Sequence, residues 1–290
     1  MKKILRFLLY VVLILIIAVF ALVVKFLIDS RHQAEDQAMM VKTDEELLGR
    51  HFFMPRDGKE AVDMNLYLFA DEETRPLVIN IHGGAFIAGD ADTLDTQSDR
   101  ISRSWNVCVA SVNYKLARNG YDIAYGTEEI VDTVRYLIQN AEEYHIDPDN
   151  IYLMGYSAGA YHAMASALQL HKEGVPIAGQ VLCYGFLRDV MDLFGALPEE
   201  QKNTMPRSLF VIAEGDPIGE ASLKYEEALR ESGVPTTIKN YSGALHGFLE
   251  ENNPEYEPLH SHASMSPEQE AMARDAENYI GQWIADNAVR

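Results

Sequence analysis

NIYLMGYSAGAYHAMASALQL, residues 150–170, is a short apolar run that meets a tight turn and then a helix-compatible stretch. The run IYLM suits a buried strand, and Ala158 to Leu170 suits a helix. Between them stands the pattern G-x-S-x-G, as Gly155-Tyr156-Ser157-Ala158-Gly159. A serine on so sharp a strand-to-helix turn needs small neighbours, because the backbone is strained and the flanking residues crowd it. The first N–H groups of the helix have no intrahelical partner and face the turn. G-x-S-x-G alone is a weak pattern, since a serine can simply cap a helix. The strand–turn–helix context makes it specific.

The same alternation extends in both directions. RHFFMPRDGKEAVDMNLYLF, residues 50–69, reads as two strands around an Asp57-Gly58 turn. PLVINI (76–81), VCVASV (107–112), QVLCYG (180–185), SLFVIA (208–213) and TTIKNY (236–241) are further strand candidates. Thr127 to Asn140 puts Ile130, Val131, Val134, Leu137 and Ile138 on one helical face, and Ser222 to Ser232 suits another helix. At the end of the chain, Ser266 with Gln269 predicts a capping box and Pro267 takes the first helical position. Met272, Ala276, Tyr279, Ile280, Trp283 and Ile284 then form one stripe. Strands alternating with helices predict an α/β fold, a mostly parallel sheet with helices on both faces. Reactive groups in such sheets collect on loops at the carboxyl ends of the strands.

Three such loops carry chemistry. His82-Gly83-Gly84-Ala85-Phe86 follows LVINI, and glycines there let backbone N–H groups approach an oxyanion unobstructed. With the N–H of Ala158, the segment Gly83, Gly84 and Ala85 is the predicted oxyanion hole. A nucleophilic serine needs a base, and the base an orienting acid. His246, in GALHGF after the last strand candidate, is the predicted base. His82 belongs to the glycine motif, while His162 and His171 lie on the helix after Ser157. His260 and His262 are too few ligands for a metal and read as part of a polar loop. Asp216, after SLFVIAEG, is the predicted acid, with Glu214 and Asp189 as rivals. The order Ser157, Asp216, His246 is the chain order of an α/β hydrolase.

With HGGAF, VNYKLA, GYSAG, GDP and a terminal HGF, the chain resembles the α/β-hydrolase superfamily. Within it, the likeness is greatest to the hormone-sensitive-lipase-like and acetyl-esterase-like carboxylesterases, and it covers roughly Leu77 to Ile284. The resemblance implies the α/β-hydrolase fold and a serine carboxylesterase acting on short-chain, acetyl-type esters. Ser157, Asp216 and His246 match its triad, which works through an acyl-enzyme; no cofactor and no metal are implied. Tyr156 stands where the family usually has an acidic residue, and VNYKLARN lacks the usual proline and glutamate. Phe86 and Tyr156 are candidate substrate contacts. DVMDLFGALPEEQKNTM, residues 189–205, reads either as a small lid, with Leu193 and Phe194 facing the acyl group, or as a surface helix. The rival readings are a peptidase or amidase on the same fold and a non-catalytic, membrane-tethered adhesion protein.

The N-terminus is a separate object. Phe7 to Val24 is unbroken apolar sequence, extended by Phe26 to Ile28 and preceded by Lys2, Lys3 and Arg6. That length predicts a transmembrane helix, with residues 4–28 in the bilayer. No A-x-A site follows it, so residues 1–28 read as an uncleaved signal-anchor, with secretion after cleavage as the alternative. Residues 29–46 read as a tether and 47–290 as the catalytic domain. The basic residues before the span predict an extracytoplasmic domain. A formal net charge of −20 argues against a nucleic-acid partner. The two cysteines, Cys108 and Cys183, lie in apolar runs and read as free and buried.

Overall fold

Among the described residues, eight strands make one sheet in the order β1-β2-β4-β3-β5-β6-β7-β8. They are β1 (Arg50–Met54), β2 (Val62–Tyr67), β3 (Arg75–Ile81), β4 (Cys108–Asn113), β5 (Ile146–Tyr156), β6 (Gly179–Cys183), β7 (Arg207–Ala213) and β8 (Thr236–Tyr241). The computed structural model describes residues 17–25, 28, 41–187, 189–250 and 266–289. β1 and β2 form the expected hairpin and pair antiparallel, as do β2 and β4. Every pairing from β4 through β3 and β5 to β8 is parallel. β3 and β5 are buried on both faces, which is why they read as continuous apolar runs and not as alternation.

Helices cover both faces. α1 is Asp95–Trp105, α2 Ile123–Gln139, α3 Ala158–Lys172, α4 Val190–Gly195, α5 Gly219–Glu231 and α6 Pro267–Asn287. Successive β5 residues serve opposite cores. Ile151 and Leu153 pack with α2, α3 and α5, whereas Tyr152, Met154 and Tyr156 pack with α1 and α6. Cys108 and Cys183 are free and buried.

Helix α1 has no counterpart in the sequence reading. Its sequence, DTQSDRISRSW, offers only Ile101 and Trp105 as apolar anchors, and its buried side is mostly polar: Asp95, Gln97, Ser98 and Ser102. Polar groups can face a core when they are paired. Asn80 on β3 donates to Ser98 Oγ at 3.0 Å, and the Tyr156 hydroxyl donates to Gln97 Oε1 at 2.9 Å. The capping box of α6 is half made. Ser266 Oγ accepts the Gln269 N–H, but the Gln269 side chain turns elsewhere.

Among the described residues no helix is long and apolar enough to cross a membrane. Most of the apolar run Phe7 to Val24 lies outside the described residues. Residues 17–25 are helical, with Ile17, Val19, Phe20 and Leu22 exposed. Of the expected tether, residues 29–40 also lie outside, but its last residues are packed on the domain. Lys42 N–H donates to Asp92 Oδ2 at 2.8 Å, and Lys42 Nζ reaches Asp95 Oδ2 at 2.6 Å. Asp95 has a completely buried side chain and also accepts from Gly49 N–H and the Tyr67 hydroxyl. The packed unit therefore begins near Lys42, not at residue 47. Removing residues 1–40 should leave these bonds intact. Removing 1–46 should lower stability by a further ~1–3 kcal/mol, since a buried carboxylate loses a part-exposed cation. Equal melting temperatures for the two truncations would contradict this.

Candidate active site

Ser157 stands between the end of β5 and the start of α3 with φ 51° and ψ −112°, a conformation that L residues rarely adopt. Such strain costs about 1–3 kcal/mol and persists only where the surroundings enforce it. Here the Ser157 N–H donates to Cys183 O at 3.0 Å, and its carbonyl accepts from Ala160, Tyr161 and Phe186 N–H. The two glycines of the motif are demanded by close approach. A Cβ on Gly155 would lie 2.2 Å from Gly159 O, and one on Gly159 would lie 2.1 Å from Ile81 O.

His246 comes from the loop after β8. Its Nε2 lies 2.9 Å from Ser157 Oγ, and its Nδ1 lies 2.6 Å from Asp216 Oδ2. A carboxylate at Nδ1 keeps the proton there, which leaves Nε2 as acceptor for the serine hydroxyl. Asp216 follows β7; its side chain is 2% exposed, and Oδ1 accepts the Ile218 N–H at 3.0 Å. The rival acids do not share this arrangement: Glu214 and Asp189 are both exposed, and Asp189 sits at the start of α4. Gln269 is a residue the sequence reading used only as a cap. Its Oε1 accepts the Leu245 N–H and its Nε2 donates to Gly243 O, so α6 holds the loop that carries His246.

The glycine loop follows β3 and passes beside Ser157: a Cβ on Gly83 would lie 3.5 Å from Ser157 Cβ. Gly84, Ala85 and Phe86 all have positive φ, at 114°, 52° and 65°. This turns the chain back so that Ile87 and Ala88 N–H both donate to Gly84 O. His82 supports the loop from below. It stacks on Tyr114 with centroids 4.3 Å apart, and its Nδ1–H donates to Gly83 O at 2.7 Å. Burial pushes its pKa down to about 4, so the ring is neutral at pH 7.

The alpha/beta hydrolase fold family matches residues 78–203 and 189–250, which carry all of these loops. The chain belongs to the α/β-hydrolase fold family. An arylesterase of Saccharolobus solfataricus is 30% identical over 209 residues, covering 60% of this chain and 68% of that protein. A versiconal hemiacetal acetate esterase of Dothistroma septosporum is 26% identical over 220 residues, covering 60% and 66%. In fold, the chain is similar to the hyperthermophilic esterase of Pyrobaculum calidifontis, with a TM-score of 0.70 at 22% identity over 89% of this chain and 93% of that one. Within the α/β-hydrolase family the chain is a carboxylic ester hydrolase.

An aromatic wall adjoins the glycine loop of this α/β hydrolase, and the Phe186 N–H within it bonds the Ser157 carbonyl. Phe86 meets Tyr161 at 5.3 Å and Phe186 at 6.2 Å, both edge to face. Ile87, Phe186, Met191 and Leu193 are partly exposed. Two expected contacts are not in that wall. The Tyr156 side chain is buried on the opposite face of the sheet, because the last residue of β5 shares the parity of Tyr152 and Met154. Phe194 is buried against Tyr225, centroids 5.7 Å apart. Val190, Phe194 and Leu197 face the core, so residues 190–195 form a helix packed on the domain. His171 Nε2 bonds Gln201 O, while His260 and His262 lie outside the described residues.

His162 on α3 is buried, with Nδ1 2.9 Å from Thr127 Oγ1, and burial pushes its pKa down to about 3. A base with a depressed folded pKa contributes stability that is present above its unfolded pKa and lost as pH falls toward the folded one. Buried Asp90 and Glu129, pushed up to about 6 and about 7, act in the opposite sense, losing their contribution as pH rises through those values. The wild-type curve therefore mixes both, and a difference measurement isolates the histidine. The stability advantage of wild type over His162→Gln should shrink by roughly a few kcal/mol between pH 7 and pH 4. A pH-independent difference would mean that His162 is not held neutral by burial.

Proposed function

We propose that the protein is a serine carboxylesterase that cleaves short-chain, acetyl-type esters through Ser157, His246 and Asp216. The observation that carries this reading is the continuous relay at the strand ends, 2.9 Å from Ser157 Oγ to His246 Nε2 and 2.6 Å from Nδ1 to Asp216. His246 takes the serine proton as Oγ attacks the ester carbonyl. The oxyanion is met by backbone N–H groups of the Gly83–Ala85 segment and of Ala158. His246 then protonates the leaving alcohol, and water cleaves the acyl-enzyme by the same path in reverse. Asp216 holds the imidazole tautomer and offsets the charge of the imidazolium. No step calls for a cofactor.

The aromatic wall supports a short acyl group. Phe86 stands edge to face with both Tyr161 and Phe186, and bulky rings packed against the glycine loop favour a small acyl group. The names of the curated relatives, an arylesterase and an acetate esterase, agree with small ester substrates. The test is a p-nitrophenyl ester series from C2 to C16, run beside the matching anilides. Turnover should peak at the shortest esters. A peak at long chains would overturn the chain-length reading, and faster cleavage of anilides than esters would favour a peptidase or amidase.

The reading extends to the N-terminus: residues 1–28 anchor the enzyme in a membrane, with the hydrolase on the extracytoplasmic side. The apolar run, the basic residues before it and the exposed apolar side chains of residues 17–25 support this. Protease added outside intact cells should cut within residues 29–40 and release active enzyme. Protection until lysis would reverse the orientation, and a mature N-terminus beyond Ala21 would replace the anchor by a cleaved signal.

A further inference from the structure

Two residues that take no part in the relay touch both halves of the site. Tyr184 is the first residue after β6, the strand whose Cys183 carbonyl holds the Ser157 N–H. It is completely buried, and its backbone has φ 37°, in the left-handed region, so the direction of its ring is set by an enforced turn. The ring meets the His246 imidazole edge to face, with centroids 5.2 Å apart and planes at 67°. Phe248, two residues after His246, packs on it as well, at 5.6 Å. The Tyr184 hydroxyl donates to Oε2 of Glu250. The other carboxylate oxygen of Glu250 lies against the glycine loop: a Cβ on Gly83 would be 3.4 Å from Oε1.

A carboxylate beside the loop where an oxyanion forms works against that charge unless something takes up its own. A charge-assisted hydrogen bond from a buried hydroxyl does so, and it is stronger than a neutral one. The pair thus has a cost at this position that its contacts must offset. Those contacts run to the base on one side and to the oxyanion loop on the other.

We propose that Tyr184 and Glu250 are positioning residues, with Glu250 holding Tyr184 so that the tilt of His246 and the placement of the loop at Gly83 are fixed together. This rests on the serine-esterase reading above. The expected effect is on the chemical step, because misaligned reacting groups lose rate without losing ground-state binding.

The experiment compares Tyr184→Phe, Glu250→Ala, Glu250→Gln and the Tyr184→Phe/Glu250→Ala double variant in the full chain, with p-nitrophenyl acetate as substrate and thermal unfolding measured alongside. Tyr184→Phe and Glu250→Ala should each lower kcat about tenfold, with KM changed by less than roughly twofold. Glu250→Gln, whose amide oxygen can still accept the tyrosine hydroxyl, should recover most of the loss. The double variant should be no slower than the worse single one, because both remove the same hydrogen bond. Wild-type kcat in both single variants, with or without a fall in melting temperature, would overturn the proposal, as would a Glu250→Gln variant as slow as Glu250→Ala. If the wild-type protein itself neither turns over the ester nor reacts at Ser157, the esterase reading fails and not the positioning role alone.

Discussion

Ser157→Ala should abolish ester turnover and leave the fold intact. Ser157 Oγ is the proposed nucleophile at the strained turn, and its removal would leave His246 with nothing to activate. In a serine protease of unrelated fold, loss of the serine costs about 10⁶ in kcat, and what remains comes from oxyanion binding and substrate orientation. A drop of that order is expected here, with KM nearly unchanged. The variant should melt at or slightly above the wild-type temperature, since alanine makes every backbone bond that serine makes at this position. A variant that keeps more than about a hundredth of wild-type kcat would place the nucleophile elsewhere.

Asp216→Asn should come next in size. The carboxylate is almost wholly buried, accepts the Ile218 N–H through one oxygen and faces His246 Nδ1 with the other. An asparagine there can present its NH2 group to the ring. That turns the tautomer so that Nε2 carries the proton and can no longer accept one from Ser157. The corresponding change in a worked triad lowers kcat about 10⁴-fold. Glu214→Gln, at an exposed side chain two residues away, should change kcat by less than roughly threefold. The reverse ranking, read from steady-state kinetics of the two variants, would move the acid to Glu214.

What the sequence made legible was local. The strand, turn and helix around Ser157 adjoin in the chain, so period and composition alone describe them, and the glycine loop after β3 has the same property. His246 and Asp216 were reachable because each follows an apolar run, and strand ends converge in a parallel sheet. The illegible parts depend on contacts between distant segments. Helix α1 presents Asp95, Gln97 and Ser98 to the sheet and so has no apolar stripe to announce it. Gln269 reads as a cap but spends its side chain on a loop some 25 residues earlier, at Gly243 and Leu245. Tyr156 adjoins the nucleophile in sequence yet points through the opposite face, a consequence of strand parity that overrides proximity. Phe194 and Leu193 are neighbours with opposite fates, because a helix turns 100° between them.

One serine, at position 157, is expected to form the covalent acyl intermediate. Incubating the protein with a fluorophosphonate, then measuring intact mass and mapping the modified peptide, tests it directly. One adduct per chain is expected, located on Ser157, lost in Ser157→Ala and slowed in Asp216→Asn. An adduct on any other residue, or unmodified protein under conditions where the ester is still hydrolysed, would contradict it.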